Sequence, residues 1–380
     1  MENNIQILYC GSYTEIVDGN FGGHGEGIYC FQFNTVNGNL QLLHTQKEIN
    51  PSYLCIVNKE LQYINNSEAP ILFTSTELLA SKNPSLQSYS INKNNYTLNL
   101  INSQVIEGGC PCHVAYINND ISNKLIAVSC YETGNVILYN LDKKVLLDPL
   151  TIQHKGHSQH PTRQSSAHAH CVYFDHALNK ILVADLGLDE VRVYTIQQEN
   201  SISTAVLHQI INLPAGSGPR HICFDTKFKH GFIINELTGS VTIIKNNGIK
   251  NNIENADSYD IIGTFPMLEP STLHCDYGGA AIRVSDNGNY IYTSIRSDNT
   301  IRLYTFDKVN GTIKHIDTYK TLGTTPRDFI IDPTGKWLLI THQDSDTITI
   351  FSINPNNGTL RFFNIVENIK SPVSLAWLII

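Results

Sequence analysis

Between Thr325 and Phe363, polar turn residues punctuate four short apolar runs, DFIID, WLLIT, TITIFSI and TLRFF. β-Branched and aromatic side chains fill the runs, and Pro-Thr-Gly, Asp-Ser-Asp and Asn-Pro-Asn-Asn-Gly separate them, which predicts four strands joined by tight turns. A unit of this size buries little surface alone and becomes stable when copies pack face to face. Its third strand, an apolar alternation ending in an aromatic residue or Ile, recurs as GIYCF, SLQSY, NVILY, EVRVY, SVTII, TIRLY and TITIF. These end at Phe31, Tyr89, Tyr139, Tyr194, Ile244, Tyr304 and Phe351, spaced 47 to 60 residues apart. That loose period fits a four-stranded propeller blade better than a sandwich.

The first strand recurs as well, from Pro51, Pro111, His168, Pro219, Ala280, Pro326 and Pro372. The last copy, PVSLAWLI, ends the chain without its other three strands, and the N-terminus begins with IQILYCGSY, a second strand lacking a first. The two fragments make one blade. The pattern therefore predicts an all-β, seven-bladed β-propeller with four antiparallel strands per blade, one domain over residues 1–380. Pairing the C-terminal strand with the N-terminal ones closes its ring and removes the open edges. Two insertions break the rhythm, at 14–26 (EIVDGNFGGHGEG) and at 151–167, where His154, His157 and His160 fall without a zinc-like spacing and read as a solvated loop. The stretch KNNGIKNNIEN reads as a surface connection.

With 41% hydrophobic and 16% charged residues, the 380-residue chain can bury a large core. Its formal net charge of -8 offers no basic surface for nucleic acid, yet leaves room for a small anion where arginines gather. No apolar run is long enough to span a membrane, and residues 1–20 lack a secretory leader pattern, so a cytoplasmic protein is expected. Nine cysteines, most of them within strand runs, fit buried thiols in a reducing compartment, and Cys110-Pro-Cys112 lacks the spacing of a redox or zinc pair. No feature marks an oligomeric state.

Repeats supply an internal alignment. The third residue of each first strand is Tyr53, His113, His170, His221, Ile282, Asp328 and Ser374, preceded by Arg220 in the fourth copy and Arg327 in the sixth, with His168 standing in place of proline in the third. Counting back from the third strands gives a second column, Tyr131, Leu186, Glu236, Arg296 and Gln343. Inner and second strands run antiparallel, so both columns are expected at one mouth of the central channel. Three of only eight arginines fall in them, and planar guanidinium groups suit phosphate or carboxylate. Structural roles compete at each position: His113 could bond a neighbouring backbone, Glu236 could neutralise Arg220 or Arg296, and Asp185 and Asp328 read as capping or pairing residues.

On YCGSYTE, SAHAHCVYFD, VADLGLDEVRVY, GPRHICFD, INELTGSV and TPRDFIIDPTG the sequence resembles the lactonase family of seven-bladed β-propellers, which includes bacterial 6-phosphogluconolactonases and fungal carboxy-muconate lactonizing enzymes. The resemblance implies a lactonase needing neither metal nor other cofactor, with His170, Arg220, Glu236 and Arg296 as its catalytic set. The turn Ile295-Arg296-Ser297 and the segment STLHCDYGGAAIRV depart from the family pattern. The expected reaction is hydrolysis of 6-phosphogluconolactone, a small anionic lactone, with His170 or Glu236 as base and Arg220 and Arg296 on the phosphate or the oxyanion. His168 and His221 would orient the base, and Arg327 and His113 complete the substrate contacts. The alternatives are a cycloisomerase or lactonase acting on a muconate-type dicarboxylate, a non-catalytic propeller binding a partner through its loops, and metal-dependent gluconolactonase chemistry, which the arginine columns disfavour.

Overall fold

The computed structural model describes residues 4–19, 21–57, 69–119, 123–141, 149–199, 202–248, 257–267 and 278–379. Residues 249–256 of the Asn-rich stretch and 271–277 of the departing segment lie outside these. Seven four-stranded antiparallel sheets follow one another along the chain. Their inner strands, Pro51–Val57, Pro111–Asn119, Ala169–Asp175, Pro219–Phe224, Gly279–Val284, Pro326–Ile331 and Pro372–Leu378, define blades 1 to 7. In blade 7 the C-terminal strand pairs with Ile5–Ser12, setting Leu8 opposite Trp377 and Cys10 opposite Leu375. Ile28–Asn34 and Leu40–Gln46 complete that sheet.

The core is divided among the blade interfaces, because each sheet buries both faces against its neighbours. Val57, Phe73 and Leu86 of blade 1 meet Val114, Ile126 and Val128 of blade 2, and equivalent clusters join each following pair. Ile7 and Tyr9 of blade 7 against Leu54 and Leu72 of blade 1 close the circle. Second strands sit in the middle of each sheet and are buried, as in Trp337–His342, whereas the outermost strands are largely exposed, as in Leu360–Glu367.

Every inner strand carries a β-bulge near its start. Pro219 pairs with Asn235 and His221 with Ile234, so Arg220 is the extra residue. The same slip occurs in the other six. A bulge leaves one residue unpaired and re-aims its side chain. The residue before the strand is left-handed in five blades, at Asn50, Cys110, Gly218, Thr325 and Ser371, with φ between 41° and 62°. Four of these are not glycine, and Thr325 is β-branched, so strain is stored at this end of the ring. At Gly218 (φ 62°) any Cβ would also lie 2.5 Å from Leu237 Cγ.

The bulge corrects the sequence alignment in two blades. Ala169 pairs with Asp185 just as Pro219 pairs with Asn235, so Ala169, not His168, replaces the proline. His170 therefore shares a position with Arg220 and Arg327 rather than with His113 and His221. In blade 5 Gly279 takes the proline position and Ala281, not Ile282, matches His221. Where proline is missing, the count starts one residue early in blade 3 and one residue late in blade 5.

The insertions are structured too. Residues 16–18 and 21–22 form a small hairpin, and the first residues of 151–167 belong to the outer strand Leu150–Gln153 of blade 2. His154 is buried, contrary to the solvated reading, with its Nδ1 2.7 Å from Asp185 Oδ2 and its Nε2 2.9 Å from the Tyr194 hydroxyl.

Candidate active site

At one end of the channel each second strand runs one residue past its last ladder pair and donates its N–H to the carbonyl of the residue that precedes the inner strand's first one. The seven donors are Tyr13, Glu77, Tyr131, Leu186, Glu236, Arg296 and Gln343, at 2.7–3.2 Å. Five of them form the column counted in the sequence. The side chains of the donors Glu77, Tyr131, Glu236 and Arg296 and of the bulge residues Cys112, His170, Arg220 and Arg327 line a cleft of about 320 Å³, with Arg163 and His168 among the others. Of the eight residues singled out in the sequence, six line it. His113 and His221 do not. Each sits one residue beyond the bulge and packs deeper in the channel around Tyr53, with ring centroids 4.1 Å (His113) and 5.9 Å (His221) from the tyrosine.

The cleft centres on Glu236, nearly inaccessible to solvent. Its Oε1 lies 2.6 Å from Arg163 Nη2, and its Oε2 lies 2.8 Å from Arg296 Nη2 and 3.1 Å from Arg220 Nε. Burial alone would raise its carboxyl pKa, but the guanidinium charges of Arg296, Arg163 and Arg220 outweigh burial and hold it far below the usual carboxylate range. Burial, with Arg220 and Arg327 adding to it, brings Arg296 down to about 10 against the pull of Glu236, so Arg296 stays charged at neutral pH. Arg220 also donates from Nη1 to the Ala280 carbonyl at 2.5 Å, which fixes it across the blade 4–5 boundary.

Burial, reinforced by Arg220, pushes the pKa of His170 well below that of an ordinary imidazole, so it is neutral at pH 7. Its ring stands edge-on to Tyr131 at 5.7 Å. His168 stacks on that same tyrosine at 4.4 Å and donates from Nδ1 to the Tyr131 carbonyl at 2.7 Å, leaving Nε2 as the acceptor nitrogen.

Arg163 is the residue that the blade pattern could not supply. It lies on the 151–167 insertion, reaches Tyr131 Oη at 3.2 Å as well as Glu236, and is held by the local geometry of its loop. His160 Nδ1 accepts the Arg163 N–H at 3.1 Å, and Gln164 Nε2 donates to the Leu186 carbonyl and to Asp189 Oδ1. The 14–26 insertion contributes Val17, Asp18 and Phe21 to the opposite wall. Asp185 caps as expected, accepting the His168 and Gly187 N–H groups, and Asp328 pairs with Arg283 at 2.8 Å.

The profile described as "Lactonase, 7-bladed beta-propeller" matches residues 7–377. Among curated relatives, the 6-phosphogluconolactonase of Bacillus subtilis strain 168 is 25% identical, with 98% of each chain covered. That of Formosa agariphila is 28% identical, covering 93% of this chain and 94% of its own. A crystal structure from Bacteroides fragilis, provisionally named a 6-phosphogluconolactonase, superposes with a TM-score of 0.84 at 26% identity, over 99% of this chain and 98% of that one. The periplasmic gluconolactonase PpgL of Pseudomonas aeruginosa shares the fold, with a TM-score of 0.81 at 23% identity over 99% of both chains. With seven blades, a profile match over nearly the whole length and relatives that align end to end, the chain belongs to the lactonase family of seven-bladed β-propellers.

Proposed function

We propose that the protein hydrolyses 6-phospho-D-glucono-1,5-lactone to 6-phosphogluconate in the cytoplasm, the reaction named for its B. subtilis and F. agariphila relatives. The observation that carries this reading is a neutral histidine beside a carboxylate-braced set of guanidinium groups in one cleft at the end of the channel. A δ-lactone is an activated ester, so the site has to place it, direct water at C1 and hold the oxyanion. His170 takes a proton from water as the oxygen bonds to C1. Arg220 and Arg296 face the oxyanion, and collapse breaks the bond from C1 to the ring oxygen, which receives the proton back from His170. Water is consumed and one carboxylic acid forms, which ionises at neutral pH.

Glu236 is the weaker choice of base, since accepting a proton would cost it three ion pairs. His170 is a weak base in the free protein, and a bound phosphate dianion would offset the arginine charges and raise its pKa toward neutrality. The buried or half-buried unpaired thiols suit a reducing compartment.

The test is release of 6-phosphogluconate above the spontaneous rate from freshly made lactone. His170→Gln is expected to lower kcat at least about 100-fold and Arg220→Ala by about 100- to 1,000-fold. Rates unchanged in both would reject the assignment. Activity is expected to persist with a chelator present, because four guanidinium groups lining the cleft oppose a divalent cation. The acid limb of kcat/KM should fall well below pH 6.5 and disappear in His170→Gln.

A further inference from the structure

The four arginines of the cleft are not equivalent. Arg163, Arg220 and Arg296 share the Glu236 carboxylate. Arg327 is almost as buried, at 8% exposure, and no carboxylate among the described residues lies within ion-pair distance of it. Its one hydrogen bond to the protein among those residues runs from Nη2 to the Tyr13 hydroxyl at 2.7 Å. Tyr13 in turn donates to Glu77 Oε2 at 2.8 Å, so its oxygen is fixed as an acceptor toward Arg327, and Glu77 and Glu236 act on the guanidinium only from beyond ion-pair distance. The guanidinium lies against two aromatic rings, 5.1 Å from the Tyr13 centroid and 5.2 Å from that of Phe21. A buried cation that keeps most of its donors unspent, facing a cleft and backed by two aromatic rings, suits an anion.

We propose that Arg327 is the subsite for the substrate's phosphate, an inference that rests on the lactonase reading above. His170, Arg220, Glu236 and Arg296 come from blades 3 to 5, whereas Arg327, Tyr13 and Glu77 come from blades 6, 7 and 1, so Arg327 continues the arc of cleft residues beyond Arg296, on the side away from His170. A hexose 1,5-lactone carries its phosphate on C6, outside the ring at C5, so the ring oxygen, C5 and C6 separate it from the carbonyl at C1, and one molecule would rest with one end on each set. A phosphate placed at Arg220 or Arg296 instead would meet the Glu236 carboxylate at close range, a repulsion that grows in a buried site. The 14–26 hairpin covers the Arg327 end with Val17 and the half-exposed Phe21. Gln343 Nε2 donating to the Gly22 carbonyl at 3.0 Å and His24 against Asp346 at 2.9 Å tie it down. The insertion thus walls that end of the cleft, with Phe21 against the guanidinium and Asp18 on the same hairpin.

The experiment compares kcat/KM for 6-phosphogluconolactone with that for unphosphorylated glucono-1,5-lactone, in wild type, Arg327→Met and Arg327→Lys. The ratio of the two is expected to fall at least tenfold in Arg327→Met, mostly through KM, and by less in Arg327→Lys, which keeps the charge and loses the fork. An unchanged ratio overturns the proposal. Calorimetric binding of 6-phosphogluconate against gluconate separates this idea from the hydrolysis reading, since it needs no turnover. Wild type should favour the phosphorylated acid and Arg327→Met should lose that preference even if neither lactone is hydrolysed. Equal affinity for the two acids in wild type would also overturn it.

Discussion

Removing the charge of Glu236 would leave Arg163, Arg220 and Arg296 crowded around a neutral group, because all three guanidinium groups lie within 3.1 Å of its oxygens. Breaking a buried ion pair from one side costs about 3–5 kcal/mol, far more than the net worth of the pair, since the abandoned charge stays buried. Glu236→Gln is therefore expected to lower stability by about 3 kcal/mol and kcat together, read by urea titration and lactone assay. Arg163→Met should behave differently. Its side chain is 20% exposed, so water screens part of the change, and Arg220 and Arg296 still hold Oε2. A stability change of about 1 kcal/mol with a roughly tenfold loss of kcat is expected. Equal losses of stability in the two variants would show that water does not screen the Arg163 pair and that it braces Glu236 as firmly as the buried arginines do.

The elements that bring these residues together differ in how plainly the sequence shows them. Third strands are apolar, alternating and repeated, and each predicted copy lies in a blade of the ring. The second-strand column was legible where a four-residue turn follows it, as at Glu236-Leu-Thr-Gly239, because counting back from the next strand then lands on the right residue. It failed at Tyr13 and Glu77, where the 16–22 hairpin and the 3₁₀ turn Ala80–Lys82 lengthen the link. The slip at His168 and His170 has another cause, since all seven inner strands carry the bulge and blade 3 lacks the proline that marks where most others start. Arg163 leaves no trace in the pattern, and of the histidines on its loop His154 and His160 are structural while His157 is exposed. Asp189 is the knot that holds that loop. It accepts the Ser158 hydroxyl at 2.5 Å, Gln164 Nε2 at 2.7 Å, and the Gly216 and Gly218 N–H groups at 2.6 and 2.7 Å, joining the insertion to the entrance of blade 4. Asp189→Ala strands four donors and places alanine at φ 58°, so a loss of about 2–4 kcal/mol is expected, with faster proteolysis within 151–167 and reduced kcat. Asp189→Asn, which tolerates that backbone and keeps one acceptor, should recover much of both; failure to do so would point to the charge instead.

At the scale of the whole ring, the buried channel makes stability depend on pH through histidine. Burial, with Arg283 and Arg220 adding to it, lowers His113 to about 3; burial lowers His342 to about 4; and burial together with Arg220 holds His170 and His221 well below 6.5. Each folded-state pKa lies below the unfolded one, so between the two values the unfolded chain binds the extra proton and stability rises with pH. The contribution is whole above about pH 6.5 and drains away as pH falls toward 4, by at most about 2 kcal/mol for each histidine at pH 5. Glu236, depressed by its arginines after its burial is overcome, adds a loss of the same sign only below about pH 4.5. Asp328, raised by burial, works the other way in that lower range. A ring whose seven interfaces share one closure has no spare stability of that size, given typical totals of about 5–15 kcal/mol. Urea midpoints are therefore expected to hold steady from pH 8 to 7 and to fall steeply from 6.5 to 5, before most carboxylates titrate. His342→Gln, which lies outside the cleft, should start less stable and show a shallower fall. A midpoint that stays level down to pH 5 would mean that water reaches these rings in the folded state, and the dry, arginine-charged channel on which the neutral His170 depends would have to be abandoned.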